Sequence, residues 1–592
     1  MLNVSEAFTT AINADGRSLH GAVIAHFLGE QTFPFATATA TSQYDSTTPP
    51  DQACNGRIRT TDYDCEGALP NALADPQKGW WSGDLADGNG DIATQTLTVT
   101  YTTPLTGGNF QVIGIPGYYP VDFVVERYVA DAWENVATVT DNTEYEWSTV
   151  VTSALTEAVR LIITKIAPVS SMARVIQFGL VSTIVFEGAD LKSISLLEEV
   201  NIESTNPLGS VSSNECTISL SNDNGRFNAR NSASPFFNLM SSNIMLCPYV
   251  GVQLASGHFE YVTLGTFFSG DWTNPADEAC VVAYDRLYNL LTKPVPEISL
   301  QLNCTITDLF TAVFAAMGIT EYDIDPALTL PVKWAWVPQG NFGEIMRQFS
   351  IAGGCCIFMS RTDRIQVKSI LQTGASVATF TESTHISAFD NPQLNRSTFS
   401  SVIVNCAVPN VQNPELIAQL TDVTFPIGTT ILNDIVFNSG PIASVSHVML
   451  VDTLSVSVVD FSWSPWSMTL EVLADAEEII SVEVYGHRIA NTTTAVTKNT
   501  DVAEGPTLTI DCNLIQHPDV ATDYADDVYD IVKNPLATLM TTVRHNPAIE
   551  LLDIVTISNT VDKIPDVDAI VLSCALNFDG GLSANLRKRA IS

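Results

Sequence analysis

Leu191-Lys-Ser-Ile-Ser-Leu-Leu-Glu-Glu-Val-Asn-Ile-Glu-Ser204, a turn at Asn206-Pro-Leu-Gly209 and a return as Cys216-Thr-Ile-Ser-Leu-Ser-Asn222 form the stretch whose reading decides the fold. Period-two alternation bounded by Asn, Pro and Gly marks half-buried antiparallel strands, so a hairpin is expected. His258-Phe-Glu-Tyr-Val-Thr-Leu-Gly-Thr-Phe-Phe-Ser-Gly-Asp-Trp272 adds another strand. Ala279-Cys-Val-Val-Ala-Tyr-Asp285 ends a further one, after which the apolar residues of Arg286-Leu-Tyr-Asn-Leu-Leu291 change to helical spacing. Residues 188–295 therefore read as a β unit running into a helix.

Composition agrees with β structure. Hydrophobic residues make up 45% of the 592 residues and charged residues 16%, enough for about four packed domains with a weakly charged surface. The net charge of −38, from 65 acidic and 27 basic residues, lacks the clustered cations that displace phosphate counterions, which excludes a sequence-specific nucleic-acid binder. Arg587-Lys-Arg589 alone departs from the trend and reads as a solvated tail. The opening Met1-Leu-Asn-Val-Ser-Glu has neither a basic nor a long apolar region, so no signal peptide is expected, and no run of about 18 apolar residues predicts a membrane span. Eleven scattered cysteines do not form a disulfide framework; Cys54 and Cys65 flank one polar loop and read either as a pair or as two reduced thiols.

Around the central stretch the chain changes character several times. Residues 1–32 give a helix-like piece at Ser5–Ile12 and a strand over Gly16–Leu28 that belongs with residues 188–295. Between them, 33–187 reads as an inserted β-sandwich or jelly roll, with short strands at 96–101, 109–115, 122–129, 158–166 and 174–180. In 296–375, Asn303–Gly318 reads as an amphipathic helix capped by Thr305 or Thr307, Gly343–Gly353 as a second, and Cys355–Met359 with Ile365–Ile370 as a hairpin, making a small α/β subdomain. Residues 376–500 return to β structure, with Tyr485–Thr492 read as a turn between strands. Residues 501–592 add a helix over Asp519–Val532, stopped by Pro535, and further strands in an α/β region.

Chemistry-bearing motifs are sparse. Eight scattered histidines show no metal spacing, and no nucleophile elbow or phosphate loop occurs. Asp84, Asp87, Asn89 and Asp91, packed around glycines, offer hard oxygens and read either as an acidic turn or as a structural Ca²⁺ site; no other cofactor is expected. Trp80-Trp81 and Tyr118-Tyr119 read as one core and one outward aromatic each, with Trp81 and Tyr119 as the candidate sugar-stacking pair.

The order of "SLSNDNGRF" at Ser219–Phe227, "GTFFSGDW" at Gly265–Trp272 and "AYDRLYNLL" at Ala283–Leu291 resembles the tail-tip or baseplate hub proteins of tailed bacteriophages, in particular the minor tail proteins of phages of Gram-positive bacteria. "NPLATLMTTVRHNPAIELLDIVTI" at Asn534–Ile557 is similar to the end of that hub region, with Leu552 where the family often has Gly. "GWWS", "YYPVDFVVERY" and "RLIITKI" within 33–187 resemble discoidin or galactose-binding-like sandwiches inserted in such proteins. The resemblance implies a mainly β fold of two tail-tube-like barrels, at 188–295 and 376–500. It also implies a homotrimer at the distal end of the virion tail, bridging to a six-fold tube, with distal tail, tail tube and tape measure proteins as partners. A structural role without catalysis is then expected; the acidity reads either as solubility alone or as a conduit wall that repels DNA. A carbohydrate adhesin binding host cell-wall glycan is the alternative, and an envelope hydrolase a third, for which the sequence offers no triad or metal motif.

Overall fold

The computed structural model of the protein describes residues 1–26, 36–44, 80–115, 117–167, 169–180, 183–200, 208–228, 231, 243–273, 277–370, 374–381, 386–394, 399–500, 505–532, 537–559 and 564–590. The fold is mainly β. No helix among the described residues is long and apolar enough to cross a membrane.

The alternating stretch 191–199 is a strand with Leu191, Ile194, Leu196 and Glu198 buried, antiparallel to Glu215–Ser221 through the register Leu196↔Cys216. It lies near the middle of a fourteen-stranded sheet. On one side the order continues through Glu278–Asp285, Phe267–Thr273, Met245–Gln253 and Leu19–His26 to Thr183–Glu187. Ile24 sits between Val185 and Cys247, so the chain leaves this sheet before residue 36 and rejoins it at the neighbouring position.

On its other side Leu191–Glu199 pairs with Ile564–Phe578, and the sheet goes on through Leu582–Ala590 and Ala537–Val543 to Ile386–Leu394. Strands of the C-terminal region 501–592 thus extend the sheet of the 188–295 unit. Ile194, Leu196 and Ile218 share one buried cluster with Leu576, Phe578 and Leu586. Alternation along a strand fixes which face is apolar and leaves its partner strand open, which is why the joint sheet has no local signature.

Residues 399–500 hold a second β body. Glu415–Phe425 and Ile442–Val451 flank Glu478–Asn499, and the three-stranded sheet Gly428–Val436, Ser467–Ala474, Val456–Trp463 packs across from them on Ile417, Phe425, Leu470 and Val482. The turn expected at Tyr485–Thr492 is instead the middle of the 22-residue strand Glu478–Asn499. Gly486 there allows close approach: a Cβ would come within 2.6 Å of Ile417 and 2.9 Å of the Ser444 carbonyl.

The α/β subdomain follows local rules closely. Ile306–Ala316 starts at Thr305 with a capping box to Asp308, and Phe342–Gly353 starts at Asn341 with one to Glu344 and ends at Gly354, whose φ of 57° suits glycine. The helices pack Phe310, Phe314 and Phe349 against Ile357 and Val367 of the hairpin Cys355–Met359, Ile365–Ser369.

A buried ion pair locks this subdomain to the large sheet. Arg361, in the hairpin turn, meets Glu198 at 2.8 and 2.5 Å through two guanidinium nitrogens, with side-chain exposures of 1% and 4%, and also donates to the Pro547 carbonyl. Asp285 caps the helix Arg286–Leu291 by accepting from the Tyr288 amide at 3.2 Å, and takes a second bond from the Asn214 amide at 2.6 Å. Burial raises the Asp285 carboxyl to about 7 despite these bonds.

Arg361→Met is expected to destabilise the protein by about 3–5 kcal/mol in denaturant titration, because Glu198 is left buried and unpaired, whereas Arg361→Met with Glu198→Met recovers most of the loss. For Asp285 the folded-state value lies above the unfolded one, so below about pH 4 both states hold the proton and nothing is lost. As pH rises to 7 the unfolded state ionises first and the folded state loses relative stability. Asp285→Asn keeps only one of the two accepting oxygens and sets an amide N–H against the other donor, so it should be less stable than wild type at about pH 4 and recover relative to it between pH 4 and 7 by on the order of 4 kcal/mol, with no further change above that.

Candidate binding face of the inserted sandwich

The insert is a six-stranded sheet of Ala36–Ala40, Asp91–Ile113, Glu146–Ala167, Tyr119–Val129, Ala132–Val139 and Gln177–Leu180, with the pair Trp80–Leu85 and Met172–Val175 beside it. Trp80 is fully buried among Leu97, Phe110 and Leu161, and its Nε1 donates to the Ser42 carbonyl at 2.9 Å. Alternation then turns Trp81 to the other face, where its cross-strand partner is Arg174.

The Arg174 guanidinium lies 4.1 Å from the Trp81 ring centre and 4.1 Å from that of Tyr118, so it is shared by two aromatic faces. Tyr44 joins them, its ring centre 5.9 Å from that of Trp81 and its amide donating to the Trp81 carbonyl at 3.0 Å. Tyr118 arrives through a tight turn in which Ile115 and Tyr118 exchange backbone bonds of 2.8 and 2.7 Å. Gly114 makes room for it: a Cβ there would stand 2.7 Å from the Tyr118 carbonyl and from the Tyr119 Cβ.

Tyr119 begins the next strand, opposite Ala167, and alternates away. The structure thus brings Trp81 together with Tyr118, Arg174 and Tyr44, and does not bring it to Tyr119. Two residues apart in role, the adjacent tyrosines are told apart only by where the turn stops. Arg174 and Tyr44 carry no signal in the sequence, since cross-strand pairing between distant segments creates the cluster. The guanidinium already occupies Trp81, and the aromatic most open to a flat ligand is Tyr44, at 51% exposure.

The acidic loop folds on itself. Asp87 Oδ1 accepts from the amides of Asn89 at 2.8 Å and Asp91 at 3.0 Å, and the Asp87 amide donates to the Asp91 carbonyl at 2.8 Å. Asp84 turns to the buried Gln95, whose Nε2 donates to its Oδ2 at 2.7 Å. Asp84 and Asp87 are therefore not directed at one point with Asn89 and Asp91, and no group of three or more His, Cys, Asp or Glu among the described residues could hold a metal ion.

Elsewhere one pair resembles a nucleophile with its base: Cys574 Sγ lies 3.6 Å from His545 Nε2. Both are buried. Burial pushes the thiol up to about 12 and holds the imidazole well below its usual range, where Arg361, Arg17 and Lys588 add to the effect. Lys588, buried beside Phe380 and donating to Thr541, is brought down to about 7 by burial. This is polar packing closed to a substrate. Cys54 and Cys65 lie outside the described residues; the nine described cysteines are free thiols.

No protein-family model matches this sequence, and no curated protein matches it. Among solved structures the chain is similar to a tail protein from Neisseria meningitidis MC58, at 9% identity over 79% of this chain and 96% of that one, with a TM-score of 0.39. It is similar to the prophage MuSo2 43 kDa tail protein from Shewanella oneidensis, at 10% identity over 68% and 95% of the two chains, with a TM-score of 0.39. A third similarity is to the family 32 CBM from C. perfringens NanJ in complex with galactose, at 13% identity over 28% of this chain and 98% of that one, with a TM-score of 0.19.

Asp87→Ala should lower the stability of the insert by about 1 kcal/mol in thermal unfolding through loss of its two turn bonds. A chelator added to the wild type should not reproduce that loss.

Proposed function

We propose that this chain is a structural, non-catalytic protein of a bacteriophage tail. Three copies form the hub at the distal end, adapt the six-fold tube to the tip and line or close the DNA conduit. The inserted sandwich faces outward, and the distal tail, tail tube and tape measure proteins are the neighbours in the particle.

The observation that carries this reading is the large sheet. Leu19–His26 lies between the strands that precede and follow the insert, and Leu191–Glu199 joins them to Ile564–Phe578. Early and late segments thus close one β body, from which a complete sandwich projects without interrupting the sheet. The order of sequence motifs in that body supports the same reading. So does the net charge of −38, which repels DNA phosphates from a wall built of this chain.

The adhesin reading is favoured by one feature, the exposed Tyr44 beside Trp81, Arg174 and Tyr118. In that case the outward domain would hold host cell-wall glycan by aromatic stacking.

Light scattering on the purified chain should give the mass of a trimer, and quantitative mass spectrometry of purified particles should give three copies per tail. Six or more copies, or absence from particles, overturns the hub. Retention on host cell-wall polysaccharide that Tyr44→Ala abolishes without unfolding the protein supports the adhesin instead.

A further inference from the structure

The β body of residues 399–500 presents aliphatic side chains at one end as well as in its core. Strand register defines that end: Gly428 and Val456 both pair with Ala474 from its two sides, and Phe425 pairs with Glu478. The residues at or just beyond this row include Ile427, Leu454 and Ile479, which are 72%, 100% and 66% exposed. Leu473, next to Ala474 on the outer face, is exposed as well.

Leu454 is held rather than loose. The Glu478 carboxylate accepts from the Thr453 hydroxyl at 2.7 Å and from the Leu454 amide at 3.3 Å, Thr453 Oγ1 accepts from the Val456 amide at 2.9 Å, and the Asp475 amide donates to the Ser455 carbonyl at 2.9 Å. A wholly exposed leucine on a pinned turn is preorganised for contact, since little freedom remains to be lost on binding.

The collar of this apolar tip has one sign. The turns 452–455 and 475–478 hold Asp452, Asp475, Glu477 and Glu478, and the segments 426–428, 452–455 and 475–479 contain no Lys or Arg. A second copy of so acidic a chain would meet this tip with repulsion, as would an anionic lipid surface. Charge complementarity selects a basic rim around an apolar recess.

We propose that the tip formed by Ile427, Leu454 and Ile479 is the docking surface for a partner protein that offers an apolar recess rimmed by lysine or arginine. This goes beyond the tail reading and does not rest on it.

The test is photo-crosslinking from the full chain, with p-benzoylphenylalanine at position 454 in the cells that make the protein and sequencing of the crosslinked peptides. Expected are crosslinks on one protein, in a segment where apolar residues are flanked by Lys or Arg. Their yield should fall about tenfold or more with Ile427→Asp and Ile479→Asp, as for central anchors of an interface, and should fall with added salt as the charged collar is screened. Equal thermal midpoints for variants and wild type keep a folding defect apart. Crosslinks to a second copy, salt-independent crosslinks, a spread no different from that of the probe at position 421, or flotation with phosphatidylcholine vesicles that Leu454→Asp abolishes would each overturn the proposal.

Discussion

The structure depends on the pairing of Arg361 with Glu198. Glu198 lies on the strand at the middle of the large sheet, Arg361 on the hairpin of the α/β subdomain, and the Pro547 carbonyl that completes the contact belongs to the C-terminal segment. Three parts of the chain far apart in sequence are thus held at one point. Both charges are out of water, so each is tolerable only while the other is present. The arrangement penalises any packing of the subdomain that separates them, and this specifies one docking geometry more than it adds stability.

Neighbouring groups follow from that pair. His545 is surrounded by Arg361, Arg17 and Lys588 and stays neutral, so it can lie against the Cys574 thiol without adding a further charge. Lys588 is buried over Phe380 and gives up much of its tendency to hold a proton. Arg587-Lys-Arg589, which reads as a solvated tail in the sequence, is in fact part of the edge-to-edge pairing of Leu582–Ala590 with Ile564–Phe578, with Lys588 and Arg589 buried. Alternation alone would have placed charged residues outside; the partners that satisfy them, Thr541 and the Ile370 carbonyl, come from other segments.

The insert divides along the same line. Trp80 as a core residue was legible, because a tryptophan on an alternating strand has one face to bury. The companion of Trp81 was not, because Arg174 and Tyr118 reach it through strand register and the end of a turn. The acidic loop was legible as a turn with oxygen donors. That Gln95 takes Asp84 and the loop's own amides take Asp87 was visible only in three dimensions.

The sequence by itself determined the mainly β class, the apolar face of strands such as Leu191–Glu199, the switch to a helix at Asp285, and two helices in the α/β subdomain, the first opened by a threonine cap. Each of these is set by interactions within a few residues, where propensity and spacing act directly. Only the tertiary structure decided that Leu191–Glu199 joins Ile564–Phe578, that Gly486 lies inside a long strand, that Arg361 finds Glu198, and that Ile427, Leu454 and Ile479 lie at one end of the same β body. Those outcomes depend on which distant strands pair and in which register, and a local pattern constrains faces and periods without naming the partner.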